Sequence, residues 1–148
     1  MSLNIYPELV KESKVVTVGP DASVLEASQK MTEQGTGAVL VKDGEKLLGI
    51  FTERDLLNRV ICMEIPPSSI RVADVMTKDP ETIHYQADAF KALEMMTGKG
   101  YRHLPVVDSN DRVITVISIR NLYKLVKREL EYRVMERESF IFGSAYGG

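Results

Sequence analysis

The amino-acid sequence predicts an α+β fold: two copies of one small unit, packed through their sheets with pseudo-two-fold symmetry and followed by a C-terminal helix. Three observations predict it. Shifting the chain by 65 positions brings Thr17/Thr82, Ala22/Ala87, Ala27/Ala92, Met31/Met96, Thr32/Thr97, Gly35/Gly100, Val41/Val106 and Asp43/Asp108 into register, and self-similarity at a fixed period marks a repeated structural unit. Both copies then show the same succession of a β-rich run, a helical apolar pattern, two strands about a turn, and a second helix start. Finally, a copy of roughly 55 residues buries too little surface to be comfortable alone, so the two units should share a core.

Each element has a local cause. Residues 15–18 and 81–84 are short β-rich runs. Ser23 followed by Glu26 is a capping-box signature in the first copy, and Asp88 is the corresponding cap in the second. Val24, Leu25, Ala27 and Met31 match Ala89, Phe90, Ala92 and Met96 at helical spacing, and Gly35 and Gly100 follow as C-terminal caps. Residues 38–41 and 47–51 flank Asp43-Gly44, and residues 104–107 and 113–117 flank Ser109-Asn110, so each pair reads as a hairpin. One extra residue enters the second copy in the Ser109-Asn110-Asp111 turn, which lays residues 115–122 over residues 49–56 at a shift of 66. Beyond the second copy, Leu122, Val126, Leu130 and Val134 lie four apart on a charged helix. Such a narrow stripe usually meets another helix. The expected organisation is repeat one over residues 10–62, a linker over 63–73 containing Pro66-Pro67-Ser68-Ser69, repeat two over 74–126, and a helical extension and tail over 127–148.

Composition narrows the function. The 148 residues are 44% apolar and 27% charged, ordinary for a soluble domain. With 19 Lys and Arg against 21 Asp and Glu, the formal charge is -2, and nothing draws the chain generally to nucleic acid or to an anionic membrane. A single cysteine, Cys62, excludes an internal disulfide, and two histidines add no zinc-ligand pattern. The apolar runs are short of a membrane span and the N-terminus lacks a signal-peptide pattern. The expected location is the cytoplasm.

The stretch Gly49-Ile50-Phe51-Thr52-Glu53-Arg54-Asp55-Leu56-Leu57 poses the chemical question. Thr52 with Asp55 three residues on is an ordinary capping box, which requires no ligand. The same hydroxyl and free amides at a helix start also suit phosphate, with a nearby carboxylate for a ribose diol. The stretch has a twin, Thr115-Val116-Ile117-Ser118-Ile119-Arg120-Asn121-Leu122-Tyr123. Arg54 and Arg120 occupy the same place in both copies. A cation at a helix start is electrostatically misplaced unless an anion is near.

These two stretches, with Asp74-Val75-Met76-Thr77 opening the second copy and Tyr101-Arg102-His103-Leu104-Pro105-Val106-Val107-Asp108 inside it, resemble the cystathionine β-synthase (CBS) domain pair, or Bateman module, over about residues 10–126. The resemblance implies β-α-β-β-α units in duplicate, a cleft between them that takes adenosine-containing ligands, and a homodimer. Carried over by position, Thr52 would touch phosphate or ribose and Asp55 the two ribose hydroxyls. Thr17, Val18, Gly37, Ala38 and Val39 would frame the base. In the second copy Ser118 and Asn121 stand at the motif positions, with Thr115 where the glycine belongs. Asn121 can bond a hydroxyl but without the charge-assisted contribution, so a weaker or altered ribose site is expected there. Arg102 and His103, with Pro105 beside them, would meet phosphate, as would Arg54 and Arg120.

No nucleophile with its base, metal cluster or glycine-rich phosphate loop stands out in the sequence. The expectation is therefore a regulatory sensor and not an enzyme, with no catalytic residues, no metal and no cofactor. As a stand-alone dimer it would bind AMP, ADP, ATP or NAD(H) and change the surface shown to an unidentified regulated protein. The rival is a structural or adaptor dimer whose cleft takes no physiological nucleotide.

Overall fold

The two hairpins form the centre of the molecule, and every other element covers them. The structure, a computed structural model, describes residues 3–12 and 14–146; Gly147 and Gly148 of the expected tail lie outside the described residues. A short helix α1 (Glu8–Glu12) precedes the first repeat, which comprises β1 (Thr17–Val18), α2 (Val24–Gln34), β2 (Ala38–Asp43), β3 (Lys46–Thr52) and α3 (Glu53–Leu56). The last of these runs on as a π-helical turn, Leu57–Ile61. After the linker, β4 (Thr77–Lys78) leads to the second repeat: β5 (Ile83–His84), α4 (Ala89–Lys99), β6 (His103–Val107), β7 (Val113–Ser118) and α5 (Ile119–Tyr146). The first sheet has the order β1-β2-β3-β4 and the second β5-β6-β7. In each, the β-rich run joins a hairpin strand in parallel and the hairpin itself is antiparallel.

The capping chemistry read from the sequence forms as expected. Ser23 Oγ accepts from the Glu26 amide, and Asp88 accepts from the Phe90 amide at 2.7 Å, which satisfies free donors of the first turns. Gly35 and Gly100 close the helices at φ 63° and 76°, in the left-handed region that glycine enters without a Cβ clash. Even the irregularities repeat. The register slips between Val41 and Lys42 in one hairpin and between Val106 and Val107 in the other, so Leu48 and Ile114, 66 positions apart, form equivalent bulges.

The packing contains a crossover that the repeat pattern does not show. Val72, Val75 and Met76, which precede the second repeat, are buried in the core of the first with Val24, Met31, Val39 and Phe51. Ile5 and Leu9, which precede the first repeat, are buried in the core of the second with Met96, Leu104, Ile117 and Leu122. Each repeat is thus completed by the segment that precedes the other, and Asp74-Val75-Met76-Thr77 opens the second repeat in sequence while covering the first in space. This explains one difference between the twin motifs. Gly49 lies directly under this segment, where an added Cβ would sit 2.5 Å from Met76 Sδ and 2.6 Å from the Thr77 carbonyl. Among the described residues β7 has no fourth strand beside it, and Thr115 occupies the equivalent place, buried, with its hydroxyl unpartnered. A third apolar layer of Ala38, Leu40, Ile50 and Val116 joins the sheets.

The stripe on α5 divides in two. Leu122 and Val126 are buried within this chain, whereas Leu130 and Val134 are 44% and 56% exposed. No helix of the described residues is long and apolar enough to cross a membrane.

Candidate ligand-binding cleft

The two copies of the motif begin their helices in the same way and end in different surroundings. In both, the first helical amide reaches across to the residue before the hairpin's first strand: Glu53 N–H donates to the Gly37 carbonyl at 3.1 Å, and Ile119 N–H to the Arg102 carbonyl at 2.8 Å. In both, the hydroxyl caps the third residue, Thr52 accepting from Asp55 N–H and Ser118 from Asn121 N–H. The side chains of Asp55 and Asn121 then diverge.

Asp55 is 8% exposed and has its partners inside the protein. Its Oδ2 accepts from Thr52 N–H at 3.0 Å and Thr52 Oγ1–H at 3.2 Å, which completes a capping box. The other oxygen accepts from Thr77 Oγ1–H at 3.3 Å and lies 3.7 Å from Arg59 Nε. Arg59 in turn donates to the carbonyls of Val75 and Met76. Asp55 therefore fastens the crossing segment to the first repeat. Asn121 has no Thr77 beside it, and its side-chain amide has no hydrogen-bond partner among the described residues.

That amide opens on a cavity of about 950 Å³ between the repeats. One wall comes from the end of α2 and the residues after it, with Met31, Thr32 and Gly35 to Gly37. The opposite wall is the second motif, with Ser118, Ile119, Arg120 and Asn121 and, a turn later, Lys124. Arg102 and His103 stand at the start of β6, Lys14 enters from the segment before β1, and Glu53 brings the one carboxylate. Burial lowers the pKa of His103 below its ordinary value of 6.5; Glu53 opposes that shift and Arg102 adds to it. The ring is therefore neutral at pH 7. The Arg102, Arg120 and Lys124 side chains have no hydrogen-bond or ion-pair partner among the described residues, so the lining is cationic in a chain of net charge -2.

Of the residues singled out in the sequence, the cavity gathers Gly37, Arg102, His103, Ser118, Arg120 and Asn121. Thr52, Arg54 and Asp55 lie apart from it. Val18 and Val39 are buried in the first repeat's core, and Ala38 lies between the sheets. Pro105 is buried in β6 opposite Val116. Thr17 is exposed, and its carbonyl accepts from Lys30 Nζ. Lys14, Ser28, Thr36, Glu53 and Lys124 line the cavity without having been singled out. Lys124 carried a signal, since it follows Arg120 by one helical turn and shares its face.

Two sheet-paired repeats, each delivering a hydroxyl-capped helix start to a common cleft, define a duplicated two-sheet cleft module. The CBS domain model matches residues 9–61 and 72–128, and the chain belongs to the CBS domain family. It is 36% identical over 108 residues to the CBS domain-containing protein CBSCBSPB1 of Arabidopsis thaliana, covering 73% of this chain and 20% of that protein. The chain thus spans about a fifth of the length of that relative. A CBS-domain-containing protein from Agrobacterium tumefaciens has the same fold at a TM-score of 0.74 and 35% identity, over 82% of this chain and 96% of that one. A CBS domain protein from Pyrobaculum aerophilum, solved in complex with AMP, matches at a TM-score of 0.71 and 22% identity, over 81% and 96%.

Proposed function

We propose that this protein is a regulatory module that binds an adenine nucleotide in the cavity beside Asn121. The observation that carries the reading is the lining itself: unpaired Arg102, Arg120 and Lys124 converge with Lys14 and His103 around a half-apolar space and face one carboxylate, Glu53. A cationic concavity with few but convergent polar groups suits an anionic ligand with an apolar part. In this reading Met31, Leu56 and Val116 receive the base, Ser118 and Asn121 the ribose, and the cations the phosphate. The AMP bound by the Pyrobaculum aerophilum protein supports the ligand class.

The sequence reading places the ribose on Asp55; the cavity favours Asn121, which lines it, whereas Asp55 lies outside it. The protein acts on others by changing the surface it presents, and a homodimer through the exposed part of α5 is the assembly proposed. A thermal-shift comparison tests the function. AMP, ADP, ATP and NAD(H) are expected to raise the melting temperature, and adenosine and S-adenosylmethionine to do so much less. Equal stabilisation by S-adenosylmethionine contradicts the phosphate-directed reading.

A further inference from the structure

We infer that Arg54 is an internal latch that closes the half-site containing Asp55, so that each chain takes a single nucleotide, in the half-site containing Asn121. Arg54 and Arg120 occupy equivalent positions in the two motifs, yet they do different things. Arg54 Nη1 donates to the Gly100 carbonyl at 3.0 Å, across the cleft, at the end of α4. The last carbonyls of a helix lack intrahelical partners and carry negative partial charge, so a guanidinium there is well placed. The symmetry-related bond would run from Arg120 to the end of α2 around Gly35. It is absent among the described residues, where Lys14 stands beside that position instead: its Nζ donates to the carbonyl of Gln34, the residue before Gly35, at 3.0 Å. The two cations sit alike, since an added Cβ on Gly35 would lie 4.0 Å from Lys14 Nζ, and one on Gly100 would lie 3.9 Å from Arg54 Nη1.

The asymmetry follows from one sequence difference. The residue 65 positions after Lys14 is Asp79, which cannot cap a helix C-terminus. The end of α2 is therefore satisfied from its own repeat, and Arg120 is left unpaired at the rim of an open cavity. The end of α4 is satisfied from the opposite repeat, and the arginine that does so spans its own half-site. Asp55 and Asn121 report the same difference, the acid buried with internal partners and the amide unpartnered and facing the cavity.

The latch stands on this geometry, while the choice of nucleotide as its ligand rests on the function proposed above. Calorimetric titration of AMP into the full chain and into its Arg54→Ala variant counts the sites. One AMP per chain is expected for the wild type and two for Arg54→Ala. Two in the wild type, or one in the variant, overturns the latch. If neither protein takes up AMP, the nucleotide reading fails by itself, and a crystal structure of Arg54→Ala decides the latch. A second cavity beside Asp55 and Gly100 supports it, and a half-site still closed overturns it.

Discussion

Asp55 and Asn121 hold the same place in the repeat and meet different surroundings, the acid buried among internal partners and the amide lining the cavity. The carboxylate is the better ribose acceptor, yet it holds Thr52, Thr77 and Arg59 together; the proposed function gives the ribose to the amide. Removing a buried carboxylate from satisfied donors strands them, at a cost of about 1–3 kcal/mol. Asp55→Ala should therefore lower the unfolding free energy by that much, read as a lower denaturant midpoint at unchanged slope, and leave AMP affinity little changed where the protein is folded. Asn121→Ala should do the reverse, weakening AMP by roughly two- to tenfold through the loss of a neutral hydrogen bond. An unaltered AMP affinity in Asn121→Ala counts against ribose at that amide. His103 adds a pH dependence. Its pKa is lowered by burial, so the free protein carries the ring neutral at pH 7. An anionic ligand favours the protonated ring, so AMP affinity should rise as pH falls through the window between the ligand-bound and the lower free pKa, then level off. His103→Gln removes this rise and leaves only the titration of the phosphate, and identical pH profiles for the two proteins exclude His103 from the phosphate site.

At the scale of elements, α5 serves two purposes along one stripe. Its first turns bury Leu122 and Leu125 in the second repeat's core, with Val126 also buried, and its later turns expose Leu130, Val134 and Met135. An apolar stripe that continues past the body of the fold is suited to a second helix. Sedimentation should show a dimer at micromolar concentration, and Leu130→Glu with Val134→Glu should give a folded monomer; an unchanged dimer places the interface elsewhere. The continuity of α5 was partly readable, since the four-residue spacing predicts the helix but not which half stays inside. The caps at Ser23, Asp88, Thr52 and Ser118 and the closures at Gly35 and Gly100 were readable in full, because each depends on residues within one turn. The crossing of residues 72–78 onto the first repeat, and of Ile5 and Leu9 onto the second, was not. An apolar residue announces that it will be buried, but not against which of two nearly identical cores. The divergence of Arg54 from Arg120 was hidden for a related reason, because it depends on Lys14 and Asp79, which lie outside both motifs.

Over the whole molecule, duplication builds the cleft and small departures from it make the two halves unequal. The motif pair pointed to Asp55 as the ligand acid; in the folded chain that acid bonds Thr52 and Thr77, and the ribose is proposed for the half-site with Asn121. What unites the half with Asn121 is positive charge gathered from three separate segments: Lys14 in the approach to β1, Arg102 at the start of β6, and Arg120 and Lys124 on the first two turns of α5. Arg102 and Arg120 were legible one by one in the sequence, but their convergence with Lys14 and Lys124 was not, and the net charge of -2 conceals it. The central claim is that this charge selects a phosphate-bearing adenine ligand. Calorimetry of AMP and adenosine on the wild type and on Arg102→Ala tests it most directly. AMP should bind the wild type at least about tenfold more tightly than adenosine, as one charge-assisted contact implies, and Arg102→Ala should weaken AMP while leaving adenosine almost unchanged. Adenosine binding as tightly as AMP, or losing as much in the variant, would contradict the account.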